Sequence, residues 1–305
     1  MRRGAGALVL ALAVCACGAR AHPGAGSSRP VVPATRAERV IALLPAGAEL
    51  LVEIDLARLR ANPVVGEVAT RALANIGDDA QLPGLPMAVQ GSPLATADLV
   101  VLAAYGVGTA QAASVTLLAT KDEIDGATRL SPEVVVLGPP EWVAQLEARA
   151  AIAAREPLAP SLALMPLRDH AMPAKAPGAV LRLTAQLPFD ARVSLARQLG
   201  LPTAPAQLSI WGDVVDDLAI IIDADAADPG DKDVKDAADR LAQAIRSLLA
   251  AAGDEPALHV LGLTGALRDV RMIDQRSWVR TIITVGPRQL ARAVERARAM
   301  LGASP

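Results

Sequence analysis

The scarcity of aromatic residues most constrains how this chain can fold. Hydrophobic residues make up 52% of its 305 residues, yet only three are Trp, one is Tyr and one is Phe. A core must therefore be filled by Ala, Leu, Val and Ile, whose side chains are small or medium in volume. Together with 20% charged residues, this composition is typical of a globular protein with a large core.

A short apolar run close to the N-terminus predicts export. Arg2 and Arg3 precede an apolar stretch at 8–14, which is too short to span a bilayer. Cys15 and Cys17 follow it and are the only two cysteines in the chain. The remainder therefore has no thiol that could form a disulfide, bind zinc or attack a substrate.

The residues around these cysteines resemble the lipobox of bacterial lipoproteins. Val14 lies three positions before Cys17, and the small residue Ala16 lies directly before it. In that family the cysteine becomes the mature N-terminus and carries a diacylglyceryl thioether and usually an amide-linked acyl chain. The resemblance implies lipidation of Cys17 rather than Cys15, because Cys15 would place the bulkier Val14 where Ala16 stands. Such acyl chains anchor a protein stably to a membrane without a spanning helix.

Two further readings belong to this segment. Gly18 after the cysteine resembles the outer-membrane sorting pattern, so a Gram-negative cell would hold the protein on the periplasmic face of its outer membrane. The alternative is an ordinary signal cleaved near Ala19 or Ala21, which would leave an unanchored exported protein.

The chain divides into segments of different composition. A Gly-, Pro- and Ser-rich stretch follows the cysteines and predicts a flexible tether that would hold the body on the order of 25 Å from the membrane. The predicted organisation is a signal peptide at 1–16, a lipid anchor and tether at 17–38, an α+β domain at 39–156, a helical linker at 157–177, and a second α+β domain at 178–305 with an inserted helix at 232–252.

An internal duplication predicts the fold class. The strand-like run ending at Gly138-Pro139 is followed by a helical pattern, and the run ending at Gly286-Pro287 is followed by another. Matching hairpins upstream extend both copies to a β-α-β-β-β-β-α unit, with helices near 63–76 and 189–200 and a turn at Gly212-Asp213. We therefore expect an α+β fold of two related domains, each an antiparallel sheet covered by helices. This element order distantly resembles an uncharacterised family of bacterial exported proteins with paired α+β repeats.

The charge balance argues against nucleic acid as a partner. Without Arg2 and Arg3, the mature chain has four more acidic than basic residues. Duplex binding needs a clustered basic surface, and base stacking needs aromatic residues, which are few here.

Acidic and glycine-rich segments are candidates for binding sites. The segment 223–236 contains six aspartates: Asp223, Asp225, Asp228, Asp231, Asp233 and Asp236. They would supply oxygen ligands for calcium, but their spacing does not match an EF-hand loop. A solvated turn that caps the following helix is therefore favoured. Gly106 and Gly108 form a GxG between two predicted strands, where a hairpin turn is favoured over a nucleotide site. We predict no metal and no cofactor.

Two histidines are the candidates for catalysis in the body. His170 follows Asp169 and is expected on the polar face of a linker helix, whereas His259 alternates with apolar residues and is expected to be buried or half-buried. A nucleophilic serine motif GxSxG is absent, since Gly91-Ser92-Pro93 lacks the second glycine. We therefore predict no catalytic residue, with His170 and a nearby carboxylate as the hydrolase alternative.

Tryptophans and a basic helix are candidates for a recognition surface. Trp142, Trp211 and Trp278 are expected to anchor the core, because each lies in an apolar-periodic segment. The last predicted helix, at 288–301, has a basic face that would suit anionic headgroups or simply face solvent.

These observations favour a membrane-anchored exported lipoprotein that acts as a noncatalytic binding or scaffolding module of the cell envelope, with a protein of the envelope as a possible partner. The alternatives are a periplasmic carrier of an apolar ligand and an envelope hydrolase that uses His170. A carrier requires a sizeable apolar cavity, a hydrolase requires His170 in a cleft beside a Ser or Asp, and a scaffold requires an exposed apolar patch. The ligand and the oligomeric state are left open.

Overall fold

The fold is built on one antiparallel sheet of ten strands, seen in a computed structural model that describes residues 35–74, 93–176, 178–226, 234–268 and 270–302. The strands are β1 (Leu50–Asp55), β2 (Leu99–Tyr105), β3 (Ala113–Ala119), β4 (Thr128–Ser131), β5 (Val134–Leu137), β6 (Leu181–Gln186), β7 (Gln207–Val214), β8 (Leu218–Asp225), β9 (Arg271–Gln275) and β10 (Trp278–Val285). The predicted α+β class with antiparallel strands is confirmed.

Helices connect and cover the strands. They are α1 (Arg36–Ile41), α2 (Leu56–Ala61), α3 (Gly66–Ala74), α4 (Pro93–Thr96), α5 (Pro140–Ala153), α6 (Met165–Arg168), α7 (Phe189–Leu199), α8 (Val234–Gly253), α9 (Pro256–Leu261), α10 (Thr264–Arg268) and α11 (Pro287–Met300). The predicted inserted helix corresponds to α8, and the two positions at 232–233 lie outside the described residues.

The two halves of the chain meet at the middle of the sheet. Strand order is β4-β5-β3-β2-β1-β6-β7-β8-β10-β9, so β1 has β2 on one side and β6 on the other. Leu50 lies opposite Ala185 and Glu53 lies opposite Arg182 in the antiparallel β1–β6 pair. The two sheets that the sequence predicts are therefore joined edge to edge into one.

Helices and loops bury the sheet in three apolar clusters. β2 and β3 are almost completely buried along their length, which explains why they read as continuous apolar runs rather than as alternating patterns. The largest side chains that are fully buried are all aliphatic, as the composition predicts: Ile41, Leu44, Leu51, Leu56, Leu117, Leu118, Leu146, Leu164, Ile220, Ile221, Leu241 and Ile283.

Both Gly-Pro pairs precede or begin a helix. Pro287 is the first residue of α11, as predicted, whereas Pro139 is the N-cap of α5 and Pro140 is its first residue. At the first helical position a missing backbone N–H costs nothing. The helix expected near 63–76 corresponds to α3, and its last two positions lie outside the described residues. A shorter helix, α2, precedes it and is separated from it by a break. The Asn62 side chain causes this break, because its Oδ1 accepts hydrogen bonds from the backbone N–H groups of Val64 and Val65.

The turn predicted at Gly212-Asp213 is wrong. Both residues continue β7, which ends at Val214. Asp213 is buried there because its two carboxylate oxygens accept hydrogen bonds from Arg58 at 2.8 and 2.6 Å. That ion pair raises the pKa of Arg58 and gives an acidic residue a place inside a strand.

The GxG at Gly106 and Gly108 forms the β2–β3 hairpin turn, as predicted. Both glycines have positive φ, +60° and +81°, which L residues with a side chain rarely adopt. The Val107 N–H in this turn donates a hydrogen bond to Oε2 of Glu49 at 2.6 Å. A Cβ on Gly108 would lie 2.7 Å from Cα of Ala191 in α7, so this turn is in close contact with that helix.

We expect Gly108→Ala to destabilise the protein more than Gly126→Ala. Gly126 also has positive φ, +74°, but a Cβ there would meet nothing within 4 Å. Both variants therefore bear a strain of about 1–2 kcal/mol, and only the first adds an overlap of about 1–3 kcal/mol with α7. The free energy of unfolding in urea measures the difference. Equal losses in the two variants would mean that α7 does not pack on this turn.

Candidate functional site

The segment 157–176, which we call the strap, crosses the face of the sheet that carries Glu53. Leu162 and Leu164 of the strap are buried against the first half of the sheet, with Leu51 and Val101 in the same cluster. Ala171, also buried, packs against the second half beside Trp211 and Ile221. The strap therefore contacts both sides of the β1–β6 junction.

A buried ion pair fixes the middle of the strap. Arg168 donates to Glu53 through Nε at 2.6 Å and through Nη2 at 2.7 Å, and the side chains are 5% and 4% exposed. Burial opposes the charge of Arg168, but the hydrogen bonds and charge of Glu53 outweigh it and raise the pKa of this guanidinium. Arg168 also lies 3.6 Å from Glu38 of α1. A bidentate geometry of this kind is specific as well as strong.

A second arginine lies beside this pair. Arg182 is opposite Glu53 in the β1–β6 register, contacts Asp169 through a short ion pair, and donates to the sulfur of Met172 at 3.0 Å. Burial, and then the charge of Arg168, lowers the pKa of Arg182 to about 10. Arg182 therefore keeps its charge at neutral pH, although its surroundings oppose that charge.

His170 of the strap lies beside a carboxylate and a guanidinium of the sheet. Its Nδ1 lies 2.8 Å from Oδ2 of Asp223 in β8. Arg280 in β10 is the cross-strand partner of Asp223 and donates to it through Nε at 2.7 Å and through a second, shorter bond from Nη2. The same Nη2 donates to the backbone carbonyl of His170 at 3.1 Å. These bonds raise the pKa of Arg280, chiefly through the Asp223 hydrogen bonds.

An aromatic contact completes the cluster. The His170 ring stacks on Trp278, with ring centroids 4.1 Å apart and an interplanar angle of 21°. The His170 side chain is 33% exposed, whereas Asp223 is 2% exposed. The imidazole is therefore a half-exposed ring held on one edge by a buried carboxylate and on one face by an indole.

The arrangement has some features of a catalytic His-Asp pair and lacks others. Both oxygens of Asp223 are already bonded to Arg280, so the carboxylate serves two cations. Ser209 is the cross-strand partner of Asp223 on β7, but it is fully buried and its Oγ accepts a hydrogen bond from the Ala171 N–H at 3.2 Å. Among the described residues, the side-chain hydrogen bond of His170 is the one at Nδ1. These contacts fasten the strap to the sheet.

The other sequence candidates lie elsewhere. His259 is exposed on α9, so the prediction of a buried or half-buried imidazole is wrong, because a helix rather than a strand holds it. His170 lies beyond the end of α6, which stops at Arg168, and not on the polar face of a helix. Asp223 is buried in an ion pair rather than part of a solvated turn.

The acidic segment gives no metal site in the described part of the chain. Asp228, Asp231 and Asp233 lie outside the described residues, and Asp236 is exposed on α8. No group of three or more His, Cys, Asp and Glu residues that could hold a metal ion occurs among the residues described.

The tryptophans occupy three different environments. Trp211 is buried and its Nε1 donates to the carbonyl of Gly178 at 2.9 Å, as expected of a core residue. Trp142 is half-buried and stacks on Tyr105 at 4.0 Å between ring centroids. Burial raises the pKa of that tyrosine, whose hydroxyl donates to the Pro45 carbonyl at 3.2 Å. Each ring is anchored to protein on at least one side.

The predicted lipidation site is outside the structural description. Cys15, Cys17, Gly18 and the tether up to residue 34 all precede the first described residue, and Gly91-Ser92 lies in a second such segment. A search of the described helices for one long and apolar enough to cross a bilayer finds none.

Sequence reasoning missed most of this cluster. It identified His170 but assigned no role to Glu53, Arg168 or Arg280, and it placed Asp223 in a solvated turn. A signal was present, because Glu53 interrupts the apolar run LLVEID and Asp223 interrupts LAIIIDAD. A carboxylate inside a buried strand needs a partner, although the sequence alone does not say which cation supplies it.

The fold defines a class no narrower than an α+β protein with one large antiparallel sheet. No protein-family model matches the chain, and no curated protein matches it significantly. Among solved structures, crystal form III of TP0453 is similar at 9% identity with a TM-score of 0.44, covering 83% of this chain and 96% of that one. Crystal form IV gives 9% identity and a TM-score of 0.42, covering 87% and 96%. These likenesses are too weak to carry an argument about function.

We expect Arg168→Met to destabilise the protein by about 3–5 kcal/mol, because it leaves the buried charge of Glu53 without its partner. Replacing both residues, as Glu53→Leu with Arg168→Met, should recover about 2 kcal/mol or more of that loss. Arg268→Met is the matched control, since Arg268 is 72% exposed and lies 3.9 Å from Asp254, and it should cost less than about 1 kcal/mol. Urea unfolding measures all three, and a loss for Arg168→Met no larger than the control would contradict a structural role.

Proposed function

We propose that this chain is an exported lipoprotein, anchored to a membrane through Cys17, whose body is a noncatalytic binding or scaffolding module of the cell envelope. The observation that carries the proposal is the sequence Val14-Cys15-Ala16-Cys17-Gly18 directly after a short apolar run. In a Gram-negative cell, the protein would face the periplasm from the outer membrane.

The order of elements supports a duplicated body. The first half has strand order β1-β2-β3-β5-β4 and the second has β6-β7-β8-β10-β9, so each half repeats the same path from the central junction outward. A helix follows the first strand of each half, and a longer helix follows the last. We propose that the halves arose from one β-α-β-β-β-β-α unit and that their first strands pair at the centre.

The strap contacts support a noncatalytic role. His170, Asp223 and Arg280 are bonded to one another in a way that fastens residues 157–176 to the sheet. The hydrolase alternative gains the 2.8 Å contact between His170 and Asp223. Ser209, the serine opposite Asp223 on β7, does not serve as an accessible nucleophile, because it is buried and bonded to the backbone. A structural cluster accounts for every contact of the imidazole.

The carrier alternative has less support than the scaffold. Both faces of β2 and β3 are filled by packed aliphatic side chains, which leaves those strands no apolar surface for a ligand. An exposed apolar helix face, in contrast, is available on α7, where Phe189 is 66% exposed.

Lipidation is tested on the full chain produced in a bacterial host with the lipoprotein pathway. We expect the mature protein to begin at Cys17, to have the mass of the acylated form, and to enter the detergent phase on temperature-induced phase separation. Cys17→Ala should abolish acylation and leave the protein in the aqueous phase, whereas the matched variant Cys15→Ala should behave like the parent.

The anchor proposal fails if the mature protein begins beyond residue 17 or has an unmodified Cys17. A Cys15→Ala variant that loses the acyl mass while Cys17→Ala keeps it would instead assign the modification to Cys15.

A further inference from the structure

We propose that helix α7 lies on the lipid surface and inserts the apolar face that Phe189, Val193 and Leu199 form. These side chains are 66%, 39% and 42% exposed, which makes α7 the described helix with the most exposed large apolar residues. The inference rests on the proposed anchor, because the tether is what keeps the body beside a bilayer.

The three side chains share one side of the helix. At about 100° per residue, Phe189, Val193 and Leu199 fall within an arc of about 120°. Ala196 and Arg192 lie within the same arc, and Arg192 is buried. Arg197 is exposed at one margin of this arc. An apolar stripe with a cation at its margin is the arrangement of helices that lie in the interface plane of a membrane.

The inner side of α7 is held by the protein. Ala191 is buried against the β2–β3 turn at Gly108. Arg192, which lies within the arc of the apolar side chains, is buried as well, and its guanidinium carbon lies 5.5 Å from the centroid of the Phe189 ring. Gly200 ends the helix in the left-handed conformation, which fixes its length. The apolar face is therefore presented by a helix that is fixed to the sheet and does not need to unfold to reach lipid.

The corresponding helix of the first half is covered. Between β1 and β2 lie α2, α3 and α4, whereas α7 is the helix between β6 and β7, and α3 buries Val68, Ala69 and Leu73. Val68 packs in the core cluster of the second half with Val214 and Leu218. Val68 of α3 is therefore covered by the other half of the protein, whereas three large apolar side chains of α7 stay exposed. A protein with only one Phe has placed it two-thirds exposed on the open side.

The basic terminal helix is a weaker candidate for the same role. Leu290, Ala293 and Val294 of α11 are buried in the core. Two of its arginines are bonded to the protein, Arg298 to Glu67 at 3.0 Å and Arg296 to the Val260 carbonyl at 3.3 Å. The headgroup contact that the sequence suggested for this helix is therefore better served by α7.

The tether is long enough for this orientation. Thr35 lies at the end of the sheet where Arg36 pairs with Asp98, just before β2 begins, whereas α7 lies at the end where β2 stops. The two ends are separated by the length of β2, about 24 Å. About 18 residues link Cys17 to Thr35 and would reach about 60 Å when extended, so the anchor and α7 are able to engage one membrane.

The experiment uses the absence of cysteine from the mature chain after position 17. The polypeptide from residue 18 onward, with an N-terminal hexahistidine in place of the acyl group, is held on vesicles by a nickel-chelating lipid. A single cysteine carrying an environment-sensitive fluorophore is introduced as Val193→Cys. The matched control is Val215→Cys, which replaces a valine that is 56% exposed in the β7–β8 turn, at the opposite end of the sheet.

On vesicles of phosphatidylcholine with phosphatidylglycerol, we expect a blue shift and quenching by lipid-borne nitroxide for the probe at 193 and neither for the probe at 215. Without the nickel-chelating lipid, adding Phe189→Ser should weaken this insertion about tenfold or more, because a large apolar side chain is lost from the contact. Since Phe189 is 66% exposed and its described ring contact is the one with Arg192, this substitution should lower the urea midpoint only slightly.

Three results would overturn the inference. In the first, the probe at 193 remains in water on the vesicles. In the second, both probes shift alike. In the third, the probe at 193 shifts with protein concentration in the absence of vesicles, and the face is then assigned to a second copy of the chain. Because the vesicle attachment here replaces acylation, a failure of α7 to insert is distinguishable from a failure of Cys17 to be lipidated.

Discussion

The antiparallel pairing of β1 with β6 is the constraint on which the rest of this structure depends. It turns two five-stranded arrangements into one sheet, and it leaves no edge at the centre of the molecule. The strap reinforces this junction from one face. Leu162 and Leu164 hold it to the first half, the Arg168–Glu53 pair holds it to β1, and His170 holds it to β8 in the second half. A buried ion pair of this kind contributes specificity of position more than net stability.

The polar groups of the strap also bear on function. A row of charged and polar side chains lies along β1, β6, β7, β8 and β10 on the face under the strap, which is where a catalytic site would be sought. These side chains are mostly buried and are bonded to one another and to the strap. Their hydrogen bonds therefore hold the strap on the sheet. Three of the large apolar residues that are exposed in the described part of the chain lie elsewhere, on α7.

Sequence patterns predicted the local elements well and the long-range pairings poorly. The period-two runs and the Gly-Pro helix starts located most strands and helices, because those signals depend on nearest neighbours. The turn at Gly212-Asp213 failed since the partner that draws Asp213 into the strand, Arg58, is 155 residues away in sequence. For the same reason, His170 was noticed without its partners: Asp223 was assigned to a solvated turn, and Arg280 was given no role. His259 was assigned to the wrong environment because a short helix and a short strand give similar apolar patterns.

Native-state hydrogen exchange tests the central claim most directly, namely that the β1–β6 junction makes the two halves one cooperative unit. Amides in the middle of β2 and β3 report on the first half, and those in the middle of β8 and β10 report on the second. We predict that the most protected amides of both sets exchange with the same free energy of opening, equal to that of global unfolding. If one half opens at a clearly lower free energy while the other stays protected, the halves are independent and the account of a single joined sheet is contradicted.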